Sequence, residues 1–233
     1  MYAATDYYET LAAAYVRGKL GGSMAAREHS DLFTTPLEQL GATECQQLMA
    51  LGRDTGLRLH RFKRSALLPR VRAVLGILRG IQPADLLDIG SGRGAFLWPL
   101  LDTFPELPVT ALDLLDYRVA DLQAVRTGGV RTLNALHGDI TTVDIPPAGF
   151  DVLTMLEVLE HIPDTRAALR AAARAARYFL ILSVPSKPDD NPEHIHLFDE
   201  ATLRALLAEV GLERVSFEYV PGHVLLVARR TGA

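Results

Sequence analysis

The chain has one cysteine, one tryptophan, no surplus of basic residues and no long uninterrupted apolar run, and each shortage closes off a class of protein. Cys45, standing alone, can form neither an internal disulfide nor a thiolate metal cluster, so a reducing compartment, the cytoplasm, is expected. Nowhere do about 18 apolar residues follow one another, as a membrane-spanning helix requires. Met1 to Asp6 lack the basic stretch leading into an apolar one that marks an export signal. Twenty-four Lys and Arg against 28 Asp and Glu give a formal net charge of -4, which argues against a globally basic nucleic-acid binder. With 48% hydrophobic and 22% charged residues over 233 positions, a disordered chain is excluded as well. What remains is one sizeable α/β domain with modest room for an appendage.

Charge is unevenly spread. From Arg53 to Arg79 the chain carries Arg53, Arg58, Arg61, Lys63, Arg64, Arg70, Arg72 and Arg79 against the single acid Asp54. Such a segment is either a solvated helical face or an attractor for an anionic acceptor. Up to residue 80 the signals are helical, beginning with Tyr7 to Leu20 and a break at Gly21-Gly22. Thr35-Pro36-Leu37-Glu38 and Thr43-Glu44-Cys45-Gln46 each read as a capping box that starts a helix. After Pro69, the residues Val71, Val74, Leu75 and Leu78 recur at helical spacing and give one apolar face. Residues 1–80 are therefore expected to form a helical extension covering the acceptor pocket, and residues 81–233 the main domain.

From residue 85 short apolar runs alternate with helical patterns: Asp85–Ile89, Val109–Leu112, Leu133–His137, Phe150–Met155 and Tyr178–Val184. The alternation specifies an α/β fold with a doubly wound, mainly parallel sheet. Ala167 to Ala176 is an alanine-rich helix, and Asp199 to Val210 a helix stopped by Gly211. Leu212–Val220 and His223–Arg230, separated by the turn pair Pro221-Gly222, predict a C-terminal β-hairpin.

The chemistry-bearing segment begins at Asp88-Ile89-Gly90-Ser91-Gly92-Arg93-Gly94-Ala95, which passes from a buried strand into a helix through three glycines on alternate positions. Glycine permits positive φ and close backbone approach, and a helix N-terminus offers oriented amides, so the loop suits a nucleotide-type ligand. Asp113 closes the next apolar strand, where a carboxylate can accept both hydroxyls of a ribose. The spacing also satisfies Gly-x-Gly-x-x-Ala, ending at Ala95, so an NAD-type fingerprint is an alternative. An NAD enzyme, however, is expected to carry this loop near its start and a separate substrate domain after it. Here about eighty residues precede the loop and the remainder only completes one sheet.

The sequence resembles the class I S-adenosylmethionine-dependent methyltransferases, whose first motif reads acid-x-Gly-x-Gly-x-Gly. The likeness continues through Ala111-Leu112-Asp113, His137-Gly138-Asp139-Ile140 and the run from Phe150 to His161, covering residues 81–230. It implies a Rossmann-like seven-stranded sheet and S-adenosylmethionine as cofactor. It also implies that Asp88 and Gly90 sit near the methionine portion, that Asp113 holds the ribose and that Asp139 with Ile140 flanks the adenine. Gly92, Gly94 and Leu114 complete the implied cofactor-binding set. A non-catalytic S-adenosylmethionine-binding or regulatory module would use the same loop.

Glu157, Glu160 and His161 follow the fourth strand at spacings of three and four, which a helix would bring to one face above the carboxyl edge of the sheet. The segment from Ser183 to Asp199 brings His194 and His196 to the same edge. Glu157-Val158-Leu159-Glu160-His161 and His196-Leu197-Phe198-Asp199 resemble two branches of the class, the small-RNA 3′-terminal ribose 2′-O-methyltransferases and the ubiquinone-type O-methyltransferases. That resemblance implies a divalent metal on Glu157, Glu160, His161 and His196, the same four carrying catalysis, and an acceptor with neighbouring hydroxyls. A small molecule is the expected acceptor and an RNA terminus the alternative. Structural readings stand beside these: Glu160 favouring a helix start, His161 bonding a nearby loop, His137 and His223 ending strands, and Tyr7, Tyr8 and Tyr15 packing inside instead of lining an acceptor pocket. His194 could replace His196 as ligand, and Arg64 or Arg70 could meet the cofactor carboxylate.

Overall fold

The computed structural model describes residues 6–230; the leader expectation for the first five residues lies outside that range. Five helices come first: α1 Glu9–Leu20, α2 Met24–Glu28, α3 Ser30–Thr34, α4 Ala42–Asp54 and α5 Pro69–Ile81. The rest alternates, with β1 Leu86–Ile89, α6 Leu97–Thr103, β2 Val109–Asp113, α7 Asp116–Thr127, β3 Leu133–His137, β4 Phe150–Leu156, α8 Thr165–Ala175, β5 Ala176–Pro185 and α9 Glu200–Glu209. The hairpin β6 Arg214–Val220 and β7 His223–Arg229 closes it. Local chemistry sets the boundaries. Pro69 starts α5, where its missing N–H costs nothing, and Gln82 ends it in the left-handed region at φ 51°. Asp164 and Asp199 cap α8 and α9 by accepting the amides of Ala167 and Thr202, both at 2.8 Å.

The seven strands run in the order β3-β2-β1-β4-β5-β7-β6, with β7 antiparallel to both neighbours and the other pairings parallel. This is the Rossmann-like, doubly wound sheet with a C-terminal hairpin that the sequence predicts. Because β2 lies on one side of β1 and β4 on the other, the connections leaving β1 and β4 part in opposite directions. A crevice must open between their carboxyl ends. Among the described residues no helix is long and apolar enough to cross a membrane.

Two expectations for the first eighty residues change. The Thr35 capping box yields only a three-residue 3-10 turn, Leu37–Gln39, with no side-chain cap. Thr43 does not cap either: α4 begins two residues earlier than that cap implies, with Gly41, extended at φ -80° and ψ 177°, in the cap position. The first eighty residues pack onto the sheet domain. Tyr8, Leu11, Leu48, Phe62 and Leu75 share one buried cluster with Leu86, Val109 and Val152 of the sheet. Helix α1 lies against α7 so closely that a Cβ on Gly18 would strike the Ala124 carbonyl, and one on Gly128 would strike the Ala14 carbonyl. The stretch from Arg61 to Val71, with Tyr8, lines the pockets beside the glycine loop. Tyr8 and Tyr15 pack inside; Tyr15 stacks at 5.3 Å on Phe62 and donates its hydroxyl to Asp121.

Candidate cofactor cleft and carboxylate-imidazole cluster

Strand β1 ends at Ile89, and the chain turns away through Gly90, Gly92 and Gly94, whose φ angles are 71°, 57° and 84°. All three lie in the region that side chains avoid, so the alternate glycines are a backbone requirement. At Gly90 and Gly94 the neighbours add a second reason: a Cβ would run into Val158 and into the Trp98 indole respectively. The first regular helical residue after the loop is Leu97.

Asp88 is buried beneath this loop and accepts hydrogen bonds from Ser91 Oγ and Thr154 Oγ1, each at 2.7 Å. Burial raises its pKa from 3.8 to about 6, with the two hydroxyls pulling the other way. Asp113, also buried, accepts the Gly92 amide at 2.9 Å on one oxygen and the Leu115 amide at 3.0 Å on the other, with Arg118 at 3.6 Å. The carboxylate at the end of β2 thus fixes the glycine loop, and each oxygen keeps a lone pair for a further donor. Asp139 accepts both the amide and the hydroxyl of Thr141 at 2.8 Å; Ile140 beside it is buried. Leu114 is exposed, as are Leu115 and Tyr117, and offers apolar surface at the carboxyl end of β2.

Between the ends of β1 and β4 lies a cleft of about 170 Å³ lined by Arg70, Asp88, Gly90, Gly92, Leu156 and Glu157. Arg70 reaches it from the first turn of α5 and sits 3.8 Å from the Glu157 carboxylate. Two others of the basic segment are paired internally, Arg61 with Asp121 and Arg64 with Asp102, while Arg53, Arg58, Lys63, Arg72 and Arg79 are exposed.

The four acceptor-side residues do not share a helical face. Only Leu159–His161 form a turn, of 3-10 type, and Glu157 stands outside it with φ 58°. The carboxylate of that left-handed residue pairs with Ser183 Oγ (2.7 Å) and His223 Nε2 (2.9 Å). His196 is also set apart, its Nε2 donating to the Ile162 carbonyl at 3.1 Å. What the fold does bring together is Glu160, His161 and His194, with one potential ligand atom from each lying within 4.8 Å of the others. Glu160 is fully buried and neither carboxylate oxygen has a hydrogen-bond partner. Burial drives its pKa up to about 8, with its own backbone amide nearby opposing and the Glu157 charge adding to the rise. An unpartnered buried carboxylate against two imidazoles is a donor set that fits a divalent cation.

Three contributors escape the sequence reading. Thr154, fully buried, is signalled only by being the polar residue in an apolar strand. Ser183 and His223 have no spacing signal, because the sheet order alone brings β5 and β7 to Glu157.

Residues 59–216 match the family model described as a methyltransferase domain. The ubiquinone biosynthesis O-methyltransferase of Idiomarina loihiensis is 34% identical over 100 residues, covering 42% of this chain and 40% of that one. The nocamycin O-methyltransferase of Saccharothrix syringae is 31% identical over 111 residues, covering 47% and 40%. The chain thus spans less than half the length of the curated relatives it matches. In fold it resembles a SAM-dependent methyltransferase from Aquifex aeolicus, with a TM-score of 0.57 at 19% identity over 70% of this chain and 90% of that one. It likewise resembles the methyltransferase domain of bacterial CtHen1-C, with a TM-score of 0.55 at 18% identity over 70% and 97%. With two thirds of its length inside the family model, and with the glycine loop and its two buried acids in place, this chain belongs to the methyltransferase domain family.

Proposed function

We propose that the protein transfers the methyl group of S-adenosylmethionine to a hydroxyl oxygen of a small-molecule acceptor that carries neighbouring oxygens. The observation that carries the cofactor half is the loop itself. Gly90, Gly92 and Gly94 hold positive φ above buried Asp88, and Asp113 is tied to the Gly92 amide at the switch point of the sheet. In this reading Asp113 takes the ribose hydroxyls, Asp139 and Ile140 border the adenine, and Leu114 covers one of its faces. Arg70, in the cleft and only loosely paired, takes the carboxylate of the amino-acid portion, and the Arg61–Val71 stretch is the part of the first eighty residues that covers the acceptor side. The cofactor brings an already activated methyl group, so the protein needs chiefly to align the acceptor and accept its proton.

Choice of oxygen and of a small acceptor is supported by the relatives named as ubiquinone and nocamycin O-methyltransferases. The buried Glu160 with His161 and His194 would hold a divalent cation, which lowers the pKa of a bound hydroxyl and fixes its oxygen. Three protein ligands leave open positions for an acceptor that chelates through two oxygens. Glu157, tied to Ser183 and His223 at the cleft wall, stays outside that set and shapes the passage between cofactor and acceptor.

The test is a screen of catechols, other diols and monohydroxy controls with S-adenosylmethionine, read as S-adenosylhomocysteine release with and without Mg²⁺ or Mn²⁺. Turnover confined to acceptors with neighbouring hydroxyls is the expected outcome. Turnover only on amines or thiols would overturn the reading.

A further inference from the structure

The carboxylate-imidazole cluster carries more information than its membership. A histidine binds a metal through one ring nitrogen only when the other has its proton held, and here the acceptors identify which nitrogen that is. His161 Nδ1 lies 2.9 Å from the Glu193 carbonyl, an oxygen that can only accept, so Nδ1 carries the proton and Nε2 the lone pair. His194 Nδ1 lies 2.9 Å from Asp189 Oδ2, which sets its ring the same way. The two rings meet edge to face at 4.8 Å beside the buried, unpartnered Glu160 carboxylate. His196 is committed in the opposite sense, with Nε2 already donating to Ile162.

Asp189 is itself anchored. Its other oxygen accepts the Asn191 amide at 3.0 Å; the Asn191 side chain accepts the Glu193 amide at 3.0 Å; and the Asn191 carbonyl accepts the His194 amide at 3.1 Å. The Glu160 carbonyl then accepts the Ile195 and His196 amides at 3.0 and 3.2 Å, fixing the end of the segment to the 3-10 turn. One run of interlocked turns therefore presents both imidazoles to Glu160.

We infer that Asp189 is a positioning residue of this site: its hydrogen bond to His194 makes His194, and not His196, the second imidazole facing Glu160 and His161. The inference rests on the divalent-cation reading above and assigns this chain a ligand set different from the one its motifs suggest. It also gives the segment from Asp189 to His194 a purpose that its exposed, polar composition does not announce.

Titration of the full-length protein with Co²⁺ alone, followed by calorimetry and by the visible absorption of the bound ion, tests this directly. Wild type is expected to bind one equivalent. Asp189→Asn should weaken binding by roughly 10- to 100-fold and alter the spectrum, Asp189→Glu should recover part of the affinity, and His194→Ala should lose more than either. His196→Ala should keep the wild-type spectrum and an affinity within about threefold, since its ring lies outside the set. Asp189 is partly exposed, so its variants should fold, and S-adenosylhomocysteine binding in the same samples reports both folding and the cofactor reading independently. Unchanged affinity in Asp189→Asn, equal losses in His194→Ala and His196→Ala, or no Co²⁺ uptake by a wild type that still binds S-adenosylhomocysteine would each overturn the inference.

Discussion

Thr154 donates its hydroxyl to Asp88 across the β1–β4 pair at 2.7 Å, and both side chains are buried directly beneath the glycine loop. The carboxylate is held by the Ser91 and Thr154 hydroxyls, and burial sets its pKa at about 6 against an ordinary 3.8. An acid whose folded pKa is raised stabilises the fold while it is protonated. That contribution is complete below pH 3.8 and is lost as pH rises to about 6. Asp88→Asn should therefore be more stable than wild type at pH 7.5 by up to about 3 kcal/mol and close to it at pH 4, as urea midpoints at the two pH values would show. The same variant should bind S-adenosylhomocysteine more weakly, because an amide replaces the buried carboxylate under the loop.

Glu160 has the same sign and a higher window. Raised from 4.5 to about 8, it costs the metal-free protein stability as pH climbs through that interval. Glu160→Gln should flatten the pH profile of the melting temperature between about pH 4.5 and 8. Mn²⁺ should raise the melting temperature of wild type at pH 8, by mass action on the folded state, and leave Glu160→Gln unmoved. A metal-induced rise of equal size in the variant would remove Glu160 from the set.

The reciprocal contacts of Gly18 with Ala124 and of Gly128 with Ala14 make α1 part of the core. Gly18→Ala and Gly128→Ala should each destabilise the whole domain by roughly 3 kcal/mol through overpacking, lowering a single cooperative transition. Two separate transitions in thermal unfolding would mean that α1 is an independent appendage instead.

Arg70 is the one member of the basic segment that lines the cofactor cleft. Arg70→Ala should lower S-adenosylhomocysteine affinity by about tenfold, the value of one charge-assisted hydrogen bond, with little change in melting temperature. Binding of 5′-methylthioadenosine, which lacks the amino-acid portion, should be unaffected.

Patterns that one element can satisfy alone were legible in the sequence. The five parallel strands, the hairpin at Pro221-Gly222 and the helix ending before Gly211 follow from local chemistry and stand where the residues put them. Thr35 and Thr43 mislead because the cap spacing is a local signal that a neighbouring Gly41, with its own extended backbone, can pre-empt. The acceptor side divides for a related reason. Three-and-four spacing gathers Glu157, Glu160 and His161 only if the chain is helical there, and the left-handed backbone at Glu157 sends its carboxylate to Ser183 and His223. Two histidines two residues apart in an irregular segment cannot be told apart by spacing; the turns built on Asp189 and Asn191 separate His194 from His196.

The central claim is that the loop from Asp88 to Gly94, with Asp113, holds an adenosyl sulfonium cofactor. Isothermal titration of the protein with S-adenosylhomocysteine, and in parallel with NAD, addresses it most directly. The account predicts one site of micromolar affinity for S-adenosylhomocysteine, about tenfold or more weaker in Asp113→Ala, and no heat with NAD. Saturable binding of NAD with none of S-adenosylhomocysteine would contradict it.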